Sequence, residues 1–130
     1  MSVGILLLTH EAIGSALITT AKHILGRTPL ALDACAIPPG SDIDLALHDV
    51  AARVRALDSG DGVLVLTDVY GATPSNLAER LPALGLNMRR VSGLNLPMLL
   101  RVLNYAEQPL LELAQTAASG GRSGILIDHA

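Results

Sequence analysis

The stretch GILLLTHEAIG, residues 4–14, joins a continuous apolar run to polar residues, and the change falls at Thr9 and His10. A continuous apolar run of this length is typical of a strand that is covered on both faces, as in a parallel sheet. Val3–Thr9 is therefore predicted to form the first strand. The residues that follow, Ala12–Leu25, have their apolar side chains at helical spacing. The stretch thus predicts a strand that leads directly into a helix, with His10 at the junction.

Outward from this stretch, strands and helices are predicted to alternate. Further strands are predicted at Leu30–Ile37, Gly62–Thr67, Met88–Gly93 and Gly124–Asp128, and further helices from a cap at Ser41 or Asp42 to about Leu57, from a cap at Thr73 to about Leu84, and over about 96–105 and 109–118. Ser119–Gly121 is predicted to be a turn before the last short strand. The alternation predicts an α/β domain with helices on both faces of a parallel sheet. The commonest small topology of this kind has strand order 2-1-3-4.

Composition restricts the kind of protein and its ligands. The chain has 130 residues, half of them hydrophobic, which fits one domain with one core over residues 1–130. Its two tyrosines are its only aromatic residues, which argues against base stacking and against a flavin held between rings. A net charge of −3 without a basic stripe indicates no nucleic-acid partner, and the pair Arg89-Arg90 is interpreted as solvated surface.

Cys35 and the N-terminal apolar run bear on the compartment. Cys35 is the only cysteine, so no intrachain disulfide can form, and its apolar surroundings predict a core residue. The apolar run in residues 4–8 is far too short to span a membrane, and no basic region precedes it as in a signal peptide. We therefore expect a cytoplasmic protein that is not inserted in a membrane.

The predicted topology brings His10 and Asp68 into one crevice. Each follows a predicted strand, and in the 2-1-3-4 order these strands are neighbours whose carboxyl ends flank the point where ligands bind. His10 also precedes a helix, where free backbone N–H groups favour an anion. The loop VYGATPSN after Asp68 brings Gly71, Thr73 and a second helix N-terminus to the same rim.

Imidazole and carboxylate in this arrangement suit phosphoryl transfer. A neutral imidazole is a competent nucleophile near neutral pH, and a carboxylate bonded to one ring nitrogen leaves the lone pair of the other free. Helix N-termini, glycine N–H groups and a threonine hydroxyl suit phosphoryl oxygens. No serine or cysteine nucleophile stands out at either strand end. The pattern therefore favours a histidine that is itself phosphorylated.

Other interpretations of these residues are weaker but stay open. His10 alone can be a polar residue that reaches water or caps a helix, and a metal would find two ligands in His10 and Asp68 with no clear third. His23, His48 and His129 are predicted surface residues, and Glu11 an ordinary residue of the first helical turn. An aspartate phosphoacceptor of the response-regulator type needs an acidic pair after strand one and a lysine after strand five, whereas the chain has Thr9-His10-Glu11 and a single lysine, Lys22. A flavodoxin-type binder of a small ligand is disfavoured by the scarce aromatic residues.

Three motifs together resemble the mannose-type IIA component of the bacterial phosphotransferase system. They are THEAIGSALITTAKHILG, GVLVLTDVYGATPSNLAERL and VSGLNLPMLLRVL, and in this order they extend over almost the whole chain. The resemblance implies a flavodoxin-like three-layer fold and a homodimer that exchanges the C-terminal strand. It also implies a phosphoryl carrier, a phosphotransferase with a phosphohistidine intermediate and no cofactor or metal. The donor would be the phosphocarrier protein HPr, and the acceptor a IIB component or a regulatory target.

The resemblance also implies roles for single residues. His10 would accept the phosphoryl group and Asp68 would orient its ring, while Thr9, Gly71, Ala72 and Thr73 would hold phosphoryl oxygens. The family commonly has tryptophan where this chain has Tyr70, and a second glycine where it has Ala72. Two functions follow: a carrier that serves sugar uptake or a regulatory relay, or a non-catalytic module that binds a partner according to the phosphorylation of His10.

Overall fold

Strands and helices alternate through most of the computed structural model, which describes residues 2–29 and 31–128. The strands are β1 (Gly4–Thr9), β2 (Leu32–Ala36), β3 (Val63–Thr67) and β4 (Met88–Ser92). The α-helices are α1 (Ile13–Leu25), α2 (Ile43–Leu57), α3 (Thr73–Arg80), α4 (Leu96–Asn104) and α5 (Leu110–Ser123), and a short 3-10 helix at Leu81–Leu84 follows α3. No helix within the described residues is both long enough and apolar enough to cross a membrane.

The four strands form one parallel sheet in the order β2-β1-β3-β4, which confirms the predicted class and strand order. The central strands β1 and β3 are buried along their whole length because helices cover both faces of the sheet. Leu6 and Leu8 of β1 belong to an apolar cluster with α2 and α3. Ile5 and Leu7 belong to a second cluster, on the other face, with α1, α4 and α5. The result is a three-layer α/β/α domain.

Caps explain where several helices begin and end. Gly26 ends α1 with a φ of 81°, a conformation that favours glycine, and its N–H donates to the Lys22 carbonyl at 2.8 Å. Asp42 caps α2, and its carboxylate accepts the N–H groups of Asp44 and Leu45. The predicted cap at Thr73 is wrong: Ala72 is the N-cap of α3, without a side-chain bond, and Thr73 is the first helical residue.

The predicted turn at Ser119–Gly121 is also wrong, because α5 continues to Ser123. Its glycines serve close packing against α4 rather than a change of direction. A Cβ atom on Gly120 would lie 2.6 Å from Cβ of Arg101, and one on Gly121 would lie 2.9 Å from Cε of Met98. Because the Cβ of Arg101 cannot move without its backbone, the helices can approach this closely at Gly120 only since that position lacks a side chain, whereas the flexible end of Met98 could give way at Gly121.

The predicted strand at Gly124–Asp128 does not form within the single chain. The segment is irregular, and Ile125, Leu126 and Ile127 expose 71%, 84% and 77% of their surface. A strand needs a neighbour for its backbone groups, and this segment has none in the described part of one chain. Its exchange between two chains stays a prediction, since the structure holds one chain.

Two other predictions concern side chains outside the crevice. Cys35 is 5% exposed and belongs to the core as predicted, and burial raises the pKa of its thiol. His23 and His48 are exposed on α1 and α2, as predicted, while His129 lies outside the described residues.

Candidate functional site

His10 and Asp68 meet at the carboxyl end of the sheet, where the neighbouring strands β1 and β3 end. Nδ1 of His10 lies 2.8 Å from Oδ2 of Asp68, and the backbone N–H of His10 donates to the same oxygen at 2.9 Å. The His10 side chain is 45% exposed and that of Asp68 only 11%. The carboxylate is therefore held within the rim of the crevice, while the imidazole is open to a reaction partner.

The contact fixes the form of the imidazole. An ionised carboxylate can only accept hydrogen bonds, so Nδ1 of His10 must carry the hydrogen in this contact. In the neutral ring Nε2 then has no hydrogen, and its lone pair is available to an electrophile. The geometry thus leaves Nε2 as the ring nitrogen without a hydrogen, on a side chain that is 45% exposed.

The charge of Asp68 is secured by its hydrogen bonds. Burial acts to raise the pKa of the Asp68 carboxyl, but bonds from the backbone N–H and the ring of His10, with the charge of that ring, outweigh it. The pKa consequently lies below its ordinary value of 3.8. The N–H of Val69 donates to the second carboxylate oxygen at 3.1 Å. Asp68 is therefore ionised at neutral pH and can balance a positive imidazole.

An open cleft of about 420 Å³ adjoins the imidazole. His10 and Thr73 line it together with residues 37–41, between β2 and α2, and with Ile43, the first residue of α2. The sequence analysis named none of these residues as part of a site, because it considered only the strand that ends at Ile37 and the helix cap at Ser41 or Asp42. The available signal was the predicted strand order, because the segment follows β2, the parallel neighbour of β1, and must therefore begin at the same edge of the sheet.

Gly71 and Ala72 lie at the entry to α3, next to this cleft. Gly71 is exposed, has a φ of 89°, and a Cβ atom there would meet nothing within 4 Å. The side chain of Asn76 donates to the Gly71 carbonyl at 3.2 Å, and Ala72 is half-buried at the N-cap of α3. The loop therefore presents small residues and the N-terminal end of a helix on an open side of the molecule.

Thr9 is not brought into the cleft. It is 1% exposed, and its hydroxyl accepts the N–H of Gly14 at 3.1 Å, in the first turn of α1. Its backbone carbonyl accepts the N–H of Ile37 at 3.0 Å. With both oxygens occupied inside the fold, Thr9 supports the start of α1 beneath His10 and does not face a ligand.

Glu11 differs from the sequence expectation. It was predicted in the first turn of α1, but α1 begins at Ile13, and Glu11 precedes it with a φ of 48°. Among the described residues it is the one non-glycine residue with a positive φ. Because a side chain disfavours this conformation, the turn that carries His10 into α1 is strained at Glu11.

Arg90 is a further residue that the sequence analysis missed. The pair Arg89-Arg90 was interpreted as solvated surface, and Arg89 is exposed as expected. Arg90, however, is 22% exposed and reaches the loop between β3 and α3, where its guanidinium lies 5.0 Å from the centre of the Tyr70 ring. A basic pair in a strand predicts opposite faces for its two side chains, and that alternation was the available signal.

Comparison with known proteins identifies a family and several relatives. The family model EIIA-man, described as PTS system fructose IIA component, matches residues 4–118. The PTS system mannose-specific EIIAB component of Escherichia coli strain K12 is 29% identical over 129 residues, which are 96% of this chain and 39% of that protein. The transcriptional regulatory protein LevR of Bacillus subtilis strain 168 is 31% identical over 121 residues, which are 88% of this chain and 12% of that protein. The chain thus spans less than half the length of these curated relatives.

The fold is shared with a solved structure as well. The mannose/sorbose specific IIA subunit of the phosphotransferase system from Enterococcus faecalis superposes with a TM-score of 0.86 at 23% identity, covering 100% of this chain and 97% of that one. This likeness shows the fold, and the family match extends over the strands and loops that carry both His10 and Asp68.

Proposed function

This chain belongs to the EIIA-man family of phosphotransferase-system IIA components, and we propose that it carries a phosphoryl group on Nε2 of His10. The donor is the phosphocarrier protein HPr, and the acceptor is a IIB component or a regulatory target. The observation that carries the proposal is the 2.8 Å contact between Nδ1 of His10 and Oδ2 of Asp68 beside an open cleft. The contact supplies both the nucleophile and the charge that balances its product.

The proposed transfer is an exchange of one phosphoryl bond for another. The lone pair of Nε2 attacks the phosphorus atom, the donor's phosphoryl bond breaks, and its electron pair stays with the donor atom. The imidazole, now bonded to phosphorus while Nδ1 keeps its hydrogen, is positive. Asp68 stabilises that charge across the existing hydrogen bond, as the orienting acid of a catalytic triad does. Because no proton has to leave the site, the reverse step to an acceptor needs no further reactant.

The loop between β3 and α3 is proposed to hold the phosphoryl oxygens. Thr73 offers a hydroxyl at the cleft, and Gly71 and Ala72 offer backbone N–H groups at the N-terminus of α3. Preorganised donors of this kind stabilise the charge that spreads over the phosphoryl oxygens during transfer. Thr9 supports this arrangement only indirectly, through Gly14 and the start of α1.

Phosphotransfer from phosphoenolpyruvate through the two general carrier proteins tests the proposal. The chain should take up label that is stable in base and lost in acid, as expected for a phosphorus–nitrogen bond. His10→Ala should abolish the label, while His48→Ala, a change at an exposed histidine of α2, should leave it intact. Label that persists in folded His10→Ala at the wild-type level would contradict the proposal.

A regulatory role is a second candidate, favoured by the similarity to a transcriptional regulatory protein. In that case the phosphorylated and unphosphorylated forms of His10 differ in their affinity for a partner, and onward transfer is not required. Mixing the labelled protein with a mannose-type IIB component separates the two functions. Rapid loss of label to the IIB component supports the carrier, and retention of label together with phosphorylation-dependent binding supports the regulatory module.

We further propose a homodimer in which Gly124–Asp128 of each chain adds to β4 of the other. The two edges of the sheet are not equivalent. In the middle of β2, the N–H of Ala34 donates to the Asp33 carboxylate at 2.8 Å, and Arg53 donates to the Ala34 carbonyl at 3.4 Å. Such side chains hinder strand addition at an edge, and none is bonded in this way to the described backbone of β4. The β4 edge is therefore the one proposed to accept a strand.

A cytoplasmic location is part of the same proposal. The proposed donor and acceptors act on the cytoplasmic side, so the chain must meet them there to exchange its phosphoryl group. Fractionation of cells should accordingly recover the chain with cytoplasmic proteins, and recovery outside the cytoplasm would contradict the proposal.

A further inference from the structure

Arg90 joins β4 to the loop that carries the proposed phosphoryl contacts. Its Nη1 donates to the Ser75 carbonyl in the first turn of α3 at 3.1 Å. The same nitrogen lies 3.7 Å from Oε2 of Glu79, one turn further along α3. The guanidinium also lies 5.0 Å from the centre of the Tyr70 ring. Arg90 thus contacts the loop before the proposed phosphoryl site and the helix after it.

Tyr70 depends on this contact for its position. Its side chain is 73% exposed, so little of the protein packs around the ring, and a cation above an aromatic face is attractive even at an exposed site. Gly71, the next residue, has no side chain to restrict the backbone, and it adopts a positive φ. Asn76 of α3 restrains Gly71 through its carbonyl, and Arg90 of β4 restrains the Tyr70 ring that precedes it.

A chain of three hydroxyl groups provides a second link on the same side. Thr67 at the end of β3 donates to Oγ of Ser92 at 2.8 Å, and Ser92 contacts Oγ of Ser75 at 3.0 Å. Thr67 and Ser75 are both fully buried. These bonds attach the first turn of α3 to the sheet. The Ser75 carbonyl that accepts from Arg90 is therefore held in place.

We propose that Arg90 is a positioning residue that holds residues 70–75 in the geometry needed to receive a phosphoryl group. The inference rests on the proposed function of the same site. No hydrogen bond or ion pair of the described residues joins Arg90 to His10 or Asp68, which are held by their own bond at the ends of the central strands. The loss of Arg90 should therefore slow transfer while the form of the imidazole stays unchanged.

Three substitutions separate this role from a general loss of stability. Arg90→Met removes the charge and the planar donor group but keeps a long side chain. Arg90→Lys keeps the charge near Tyr70, but a lysine cannot reproduce the fork that reaches the Ser75 carbonyl. Arg89→Met is the matched control, because Arg89 is the exposed neighbour on the opposite face of β4.

Two spectroscopic readouts of the whole protein report on the loop and on the imidazole. The chain has two tyrosines and no phenylalanine or tryptophan, so the aromatic proton resonances of Tyr70 can be followed directly. The resonances of Tyr70 should shift in Arg90→Met and stay in place in Arg89→Met. The nitrogen shifts of His10 should show the same tautomer in all three variants.

The rate of phosphorylation at saturating HPr supplies the functional readout. Because a small misplacement of positioning groups can reduce a rate by up to about a hundredfold, we expect a fall on the order of tenfold in Arg90→Met. Arg90→Lys should lie between this variant and the wild type, and Arg89→Met should stay within about twofold of the wild type. A folded Arg90→Met with the wild-type rate, or with unchanged Tyr70 resonances, would overturn the inference.

The outcomes distinguish this inference from the proposed function. If Arg90→Met does not fold, Arg90→Lys decides, and a wild-type rate in that variant overturns the positioning role. A change of His10 tautomer in Arg90→Met would likewise overturn it, because the effect would then reach the imidazole. If the wild type takes up no label, the proposed function fails, whereas the Tyr70 resonances still show whether Arg90 holds the loop.

Discussion

Asp68 links the chemistry of the site to the stability of the fold. Its pKa is lower in the folded chain than its ordinary value, so its ionised form stabilises the native state. This contribution is complete above the unfolded pKa of about 4 and is lost as the pH falls through the lower native pKa. Asp68→Asn should therefore lower the free energy of unfolding by about 1 to 2 kcal/mol at pH 7.

The pH dependence makes that expectation specific. Below the native pKa the aspartic acid is neutral, as asparagine is, so the difference between the two proteins should shrink toward zero. Urea denaturation at pH 7 and at successively lower pH measures this difference in the free energy of unfolding. Asp61→Asn, in an exposed turn, is the control and should change the free energy of unfolding by less than about 0.5 kcal/mol at each pH. A difference for Asp68→Asn that is independent of pH would contradict the assigned charge.

At this scale the sequence predicts a residue well when its place follows from topology alone. His10 and Asp68 come directly after two buried apolar runs, and neighbouring parallel strands must deliver such residues to the same edge of the sheet. Thr9 was misjudged because one position along a strand turns a side chain from one face to the other. The proposed role of Arg90 depends on how closely α3 packs over β4. This distance cannot be read from the sequence of either element.

The contact between α4 and α5 shows how packing can reverse a local preference. Alanine has a higher helix propensity than glycine by about 1 kcal/mol, so Gly120→Ala in an exposed helix would stabilise it. Here the new Cβ would lie 2.6 Å from Cβ of Arg101, which cannot move without its backbone. We expect Gly120→Ala to destabilise the protein by about 1 to 3 kcal/mol, because two helices must separate.

The neighbouring Ser119→Ala provides a matched control for that change. Ser119 is exposed in the same helix turn, so its replacement should be neutral or slightly stabilising. Thermal or urea denaturation of both variants checks the opposite signs. A stabilised Gly120→Ala would mean that α5 does not pack on α4 as closely as described.

Helices and strands are predicted well where the spacing of apolar residues defines them. They are predicted poorly where the assignment depends on the meaning of a glycine. The interiors of all four strands and of α1 and α2 agree with the prediction, since their apolar spacing reflects the faces they bury. Ser119–Gly121 was assigned to a turn because glycine marks both turns and close helix contacts. Only the position of Arg101 on α4 distinguishes the two meanings, and that position is a property of the tertiary structure.

At the scale of the whole molecule, the C-terminal segment exposes apolar side chains that nothing in the described part of the chain covers. Ile125, Leu126 and Ile127 are consecutive, apolar and largely exposed, whereas most apolar side chains of this size elsewhere are packed in the two clusters. A contiguous exposed apolar segment marks an interaction site. We propose that the edge of β4 on a second copy of the chain supplies the strand partner that this segment does not have within the described part of one chain.

Replacement of Ile125, Leu126 and Ile127 by serine tests the exchanged dimer. Light scattering after size exclusion should give the wild type twice the 13.5 kDa mass of one chain, and the triple variant the mass of one chain. Each buried side chain of this size contributes about 1.5 to 3 kcal/mol, so their loss from both exchanged segments should dissociate the dimer at micromolar concentration. Leu45→Ser is the control, because Leu45 is 70% exposed on α2, and it should keep the wild-type mass. A wild type with the mass of one chain would refute the dimer, and a triple variant with twice that mass would refute the exchange.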